Sequence, residues 1–234
     1  VSKNDDFTNL ELDETLYNNS YQLSDLNSDQ VYFWRVQPIN ICGTGDFSNY
    51  NIFKTDKISC IDYYSSNLPI DLNDANSNSK GITVAEVSIP YDVPIVDLNV
   101  LVNIDHSWLE DLTLYLESPD GVKIILSKQI GGSGNNYSET VFDQDSNNNI
   151  FNSSPPFSGS YKPVQSLEAF YNRSAFGKWK LIVEDSFQED TGSINSFSIE
   201  MCLLGTPMPN SDEDSIVDDQ DNCPNISNQD QLDS

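Results

Sequence analysis

The sequence predicts an all-β protein built as a sandwich or jelly roll, on three observations. Apolar and polar residues alternate with period two in short runs. Gly, Asn, Ser and Pro separate those runs. Helical spacing is not sustained except in one candidate stretch, Val164 to Tyr171. Strands that follow one another without helices must bury their apolar faces against other strands, which is what a sandwich does.

Taken in order, Tyr21-Gln22-Leu23-Ser24-Asp25-Leu26 leads through a polar turn into Val31 to Val36, where Tyr32, Trp34 and Val36 fall on one face. Asn40-Ile41-Cys42-Gly43-Thr44-Gly45 makes a Gly-rich turn, and Phe53-Lys54-Thr55 ends a last strand. Residues 56 to 60 connect to a second run of strands: Ile82 to Ile89, Val96 to Ile104, Leu112 to Leu116, Val122 to Leu126, Lys178 to Val183 and Ser193 to Leu203. Leu98 to Gly121 reads as a β-hairpin. Leu98, Val100, Val102 and Ile104 alternate with polar residues, as do Leu112, Leu114 and Leu116. Its connection carries the only histidine, His106, with Trp108, Glu110 and Asp111.

Asp and Glu total 37 against 11 Lys and Arg, a formal charge of −26. Phosphate backbones and anionic lipid head groups would be repelled, so nucleic acid and membrane surfaces are poor candidate partners, and neither nucleic-acid binding nor membrane insertion is expected. Clustered carboxylates suit a hard, oxygen-seeking cation, above all calcium. No apolar run approaches the ~18–20 residues of a membrane span. Val1 is not an initiator methionine and no signal peptide opens the chain, so the sequence reads as a fragment or processed form of a longer protein. Cys42, Cys60, Cys202 and Cys223 lack the spacing and histidine companions of a zinc site. They point instead to a disulfide and to an oxidising, exported setting, secreted or at the cell surface. Four cysteines allow three pairings. The reading favours Cys60 with Cys202, because the first and last strands of a sandwich commonly run side by side.

Catalysis has weak support. His106 and Ser107 are adjacent on a strand and point to opposite faces, so they cannot form a nucleophile–base pair. Gly132-Ser133-Gly134 lacks the strand-to-helix setting of a nucleophile elbow. His106 and Trp108 are read as structural residues that shape their loop.

Past Leu204 the character changes. Residues 203 to 234 hold eight acids and no Lys or Arg. Asn210, Asp212, Asp214, Asp218 and Asp221 fall at positions 1, 3, 5, 9 and 12 of a calcium-binding loop, with Ser215 at the usual turn glycine and Asp221 at the usual glutamate.

Three family resemblances follow from these residues. Tyr21, Leu23, Leu26, Tyr32-Phe33-Trp34-Arg35-Val36, Asn40, Cys42-Gly43, Gly45 and Phe53 resemble, in order and spacing, the second half of a fibronectin type III domain, an immunoglobulin-like β module. The strings His106-Ser107-Trp108-Leu109-Glu110-Asp111, Ser118-Pro119-Asp120-Gly121, Thr140-Val141-Phe142-Asp143-Gln144-Asp145, Gly177-Lys178-Trp179-Lys180-Leu181 and Asp190-Thr191-Gly192-Ser193 are similar to the P domain, or Homo B, of subtilisin-like proprotein convertases. Where convertases often carry Arg-Gly-Asp, this chain has Leu109-Glu110-Asp111, so no role of that tripeptide carries over. Asp221-Asn222-Cys223-Pro224 and Asn228 to Asp233 resemble the thrombospondin type 3 repeat.

The resemblances imply three parts: a partial fibronectin type III module over 1–55, a jelly-roll P domain over 56–205, and the start of a calcium-binding repeat over 206–234. They imply calcium ligands at Asp111, Asp143, Asp145, Asp185 and Asp190, and at Asp212, Asp214, Asp218 and Asp221 of the tail. The implied function is a monomeric, non-catalytic, calcium-binding accessory segment that stabilises a subtilisin-like serine protease within the same parent chain. The alternative is an adhesion module, binding carbohydrate or protein, whose partners are adhesin domains of that chain.

Overall fold

A computed structural model describes residues 1–205 and Cys223, and divides the chain into a unit over 1–58 and a larger one from 59 onward. The expected tail ligands Asp212, Asp214, Asp218 and Asp221 lie outside the described residues.

The first unit contains β1 (Val31–Trp34), β2 (Ile39–Asn40), β3 (Gly43–Thr44) and β4 (Asn51–Lys54). β1 and β4 pair antiparallel, with Tyr32 opposite Phe53 and Trp34 opposite Asn51. Tyr32 is fully buried and stacks on Phe53 with ring centroids 5.5 Å apart. The segment Tyr21 to Leu26 forms no strand. β2 and β3 make a small hairpin whose turn is closed by Cys42 N–H donating to Asn40 Oδ1 at 2.8 Å.

The second unit runs β5 (Ile58–Tyr64), β6 (Ile70–Asp71), β7 (Gly81–Ile89), β8 (Ile95–His106), β9 (Leu112–Glu117), β10 (Lys123–Lys128), β11 (Tyr137–Phe142), β12 (Phe157–Tyr161), β13 (Gly177–Asp185) and β14 (Gly192–Leu204). One sheet has the order β10-β9-β13-β7; the other runs β12-β11-β8-β14-β5, with β6 pairing β14. The protein is all-β, and this unit is a two-sheet sandwich. Alternation drives it: β7 is buried at every odd residue from Gly81 to Ile89, and Leu98, Val100, Val102 and Ile104 of β8 are inaccessible to solvent. They join Leu112, Leu114 and Leu116 of β9 and Trp179, Leu181 and Val183 of β13 in one core. Cys60 and Cys202 are disulfide-bonded and link β5 to β14. Among the described residues, no helix is long and apolar enough to cross a membrane.

Two sequence expectations are corrected. Leu98 to Gly121 is not a hairpin: β8 pairs with β11 and β14, whereas β9 pairs with β10 and β13. Its connection crosses from one sheet to the other. Alternation reports which side chains are inward but not which neighbour a strand takes, so two half-buried strands joined by a short link can belong to different sheets. The candidate helical stretch is only a 3₁₀ turn over Leu167–Phe170, started by Ser166 Oγ accepting from Glu168 N–H at 3.2 Å. A single turn provides no run of i→i+4 bonds to offset helix nucleation.

Candidate functional site

The sandwich topology produces a site at one end. β8 and β14 are neighbours in one sheet and β9 and β13 in the other, so the links β8→β9 and β13→β14 cross between sheets side by side. The register pairs Gly192 with His106 and Asp185 with Leu112, which fixes both crossings at the same end. The links are tied together by Ser186 N–H donating to Asp111 O at 3.0 Å and by Ser107 Oγ donating to Asp190 Oδ1 at 2.6 Å.

Close approach demands glycine at 192. A Cβ there would lie 2.1 Å from Asp105 O and 2.8 Å from His106 Cδ2. Gly192→Ala is therefore expected to destabilise the fold by about 2–3 kcal/mol, measured by urea titration, since the obstacle is backbone and cannot rotate away. A change below about 0.5 kcal/mol would show that the two strands can separate there.

His106 lies inside this junction with its side chain fully buried. Its Nδ1 accepts from Trp108 N–H at 3.2 Å and lies 2.9 Å from Trp108 O. Its Nε2 stands 3.4 Å from Asp185 Oδ2. Among the described residues neither atom has a hydrogen-bond partner. Asp185 is itself 1% exposed, and its Oδ1 accepts from Phe187 N–H at 3.1 Å. Burial pushes the Asp185 carboxyl above the usual carboxylate range, opposed by the Phe187 N–H and by His106. Asp111 is raised as well, first by burial and then by the negative charges of Asp185 and Asp190. Three carboxylates thus crowd one junction faced by a single imidazole.

An open groove borders them, lined by Trp108, Glu110, Asp111, Gln129, Phe187, Gln188 and Asp190. Trp108 and Phe187 keep 43% and 56% of their surface exposed at its walls. Of the sequence-nominated ligands, the structure brings together Asp111, Asp185 and Asp190. It places Asp143 and Asp145 elsewhere, past Phe142, which pairs with Val100 far along β8 from His106. There Asp143 Oδ2 accepts from Ser160 Oγ at 3.0 Å and Oδ1 from Asp145 N–H at 2.7 Å. Among the described residues, no three His, Cys, Asp or Glu side chains converge as a formed metal shell.

Gln129, Phe187 and Gln188 were not singled out in the sequence. Gln129 reaches the site because its N–H donates to Leu112 O at 2.9 Å, a pairing set by the β9–β10 register that no local pattern announces. Ser107 is bonded to Asp190 across the junction and not to its neighbour His106, so the junction contains no nucleophile–base contact between them.

A calcium-dependent protease of Nostoc sp. is 28% identical over 135 residues, covering 56% of this chain and 17% of that protein. One from Trichormus variabilis matches to the same extent. The chain thus spans under a fifth of the length of these curated relatives. Among solved structures, the serine protease of Aeromonas sobria aligns over 72% of this chain and 36% of its own, at 15% identity and a TM-score of 0.41. The complex of that protease with the chaperone ORF2 aligns over 64% and 27%, at 19% identity and the same TM-score. Residues 95–201, from the first residue of β8 almost to the end of β14, match the family model described as Proprotein convertase P-domain.

Proposed function

We propose that this chain is a non-catalytic, calcium-binding accessory segment of an exported protein, stabilising a subtilisin-like serine protease domain in the same polypeptide. The observation that carries this is the match of residues 95–201 to the P-domain family model. The calcium-dependent proteases that share 28% identity with the chain support the same reading. The disulfide between Cys60 and Cys202 supports an oxidising compartment. The test is deletion of residues 59–205 from the full-length protein. The half-life of proteolytic activity at elevated temperature should fall; an unchanged half-life overturns the accessory role.

Calcium is assigned to the junction of Asp111, Asp185 and Asp190. Like-charged carboxylates raise one another's pKa and weaken the fold, and a divalent cation reverses both effects. Only the folded state gathers these residues from two links, so an ion held there must stabilise it. Calcium at about a hundred times its dissociation constant is expected to add about 2.7 kcal/mol, read as a rise in melting temperature that chelator removes. Asp111→Asn should abolish most of that rise while leaving the chelated protein at least as stable as wild type. An equal calcium response in the variant would assign the ion elsewhere. Asp143 with Asp145 and the tail carboxylates Asp212, Asp214, Asp218 and Asp221 are further candidates, to be separated from the junction by the same variant.

The exposed rings of Trp108 and Phe187 beside carboxylates and amides favour a second reading, an adhesion module that stacks a sugar or a protein side chain in the groove. Glycan-array binding lost in Trp108→Ala would establish it.

A further inference from the structure

The two outer faces of the sandwich differ sharply in charge. No Lys or Arg lies on any strand of the β5-containing sheet, and the outer side of β8 offers Asn99, Leu101, Asn103 and Asp105. The outer face of the β7-containing sheet is of another kind. Cross-strand register places Val84, Ile182, Tyr115 and Ile125 in one row across all four strands. Val84 is 39% exposed, Ile82 beside it 53%, and the other three are half-buried. The next row reads Glu86, Lys180, Glu117, Lys123, of alternating sign.

The charges framing the apolar row are mostly positive. Lys80, Lys123, Lys128, Lys178 and Lys180 face this side, five of the 11 basic residues in a chain of net charge −26, against Glu86, Glu117 and Glu184. Lys80 pairs with Glu184 at 2.5 Å, Lys180 with Glu117 at 3.1 Å and Lys178 with Glu86 at 3.9 Å. Lys123 lies 4.1 Å over the Tyr115 ring. Among the described residues, Lys123 and Lys128 have no carboxylate partner.

An apolar row rimmed by five lysines, of which Lys123 and Lys128 have no carboxylate partner among the described residues, on a molecule otherwise strongly acidic, complements a surface with an apolar centre and a carboxylate rim. A polyanion such as a glycan sulfate would be repelled by the rest of the chain before it reached the row. We propose that this face is the docking surface for an acidic-rimmed side of the protease domain in the same polypeptide; this rests on the accessory role argued above. The groove at the sandwich end then stays open while the flat sheet face is covered.

The test compares the 234-residue chain with the full-length protein by hydroxyl-radical footprinting at Tyr115. Labelling is expected to fall at least fivefold in the full-length protein, with Trp108 at the groove unchanged. In the full-length protein, Val84→Asp should shorten the half-life of protease activity about tenfold by placing a charge in the covered row. Lys128→Glu, at an exposed rim position, should shorten it roughly twofold to threefold. Equal labelling of Tyr115 in both proteins overturns the docking face. So does dimerisation of the 234-residue chain in sedimentation runs that Val84→Asp abolishes, because the face would then serve a second copy. Retention of the 234-residue chain on heparin, lost in Lys128→Glu, overturns the acidic-protein partner. If deletion of residues 59–205 shortens the half-life while Tyr115 stays fully labelled, the docking face alone fails. If deletion has no effect, the accessory role itself fails.

Discussion

Replacing both Cys60 and Cys202 with serine is expected to cost about 3–5 kcal/mol and to lower the melting temperature by roughly 6–20 °C. The disulfide closes a loop of 142 residues, and the chain-entropy account assigns about 5 kcal/mol to a loop of that length. The bond ties β5, the outer strand of its sheet, to β14, the strand that carries most of that sheet's pairing with β8. Without it β5 is held only by backbone pairing with β14 and by Tyr63 packing on the core, so fraying should begin there. Hydrogen exchange of Ile58–Tyr64 in the serine variant should accelerate more than exchange of Leu98 to Ile104. Uniform acceleration would show that the sandwich opens only as a whole, and an unchanged melting temperature would show that the cross-link adds nothing to the packed strands.

Trp179→Ala should cost about 3–5 kcal/mol, the range for emptying a large aromatic site in a core that cannot fully collapse. Trp179 is fully buried on β13, packs edge-on against Phe170 with centroids 5.0 Å apart, and donates from Nε1 to Ala175 O at 2.9 Å. The melting temperature should fall by roughly 6–20 °C. Trp179→Phe keeps most of the ring volume but leaves Ala175 O without its donor, and should cost about 1–2 kcal/mol. If both variants cost the same, the hydrogen bond and not the packing dominates at this position.

Much of the sandwich was legible because burial on one face writes period two into the sequence. The runs from Ile82, Val96, Leu112, Val122, Lys178 and Ser193 all became strands, each within two residues of the expected start. β11 and β12 escaped because the signal fails there. Tyr137–Phe142 shifts register between Tyr137 and Thr140, and Phe157–Tyr161 contains Gly159 and is buried only at its first residue. The site was legible as residue types but not as a place. Asp111, Asp185 and Asp190 were nominated together with Asp143 and Asp145, and only the pairing order of the strands separates the two groups. The Leu98 to Gly121 hairpin failed for the same reason: pairing is a tertiary choice, and alternation is silent about it.

The two links that cross between the sheets carry a consequence for how such a protein can vary. Ser107, Trp108 and Glu110 of one link and Phe187, Gln188 and Glu189 of the other belong to the surface, while Leu109 is buried in the core and the strands that anchor the links are held by core packing and by long ladders of backbone bonds. Their tips can lengthen, shorten or change chemistry without disturbing either sheet, provided Gly192 keeps its close passage. Two segments some eighty residues apart in sequence therefore mutate as one surface, and a change in either re-cuts the same groove. Proteins sharing this frame would be expected to differ most at this end, presenting different ligands from an unchanged sandwich.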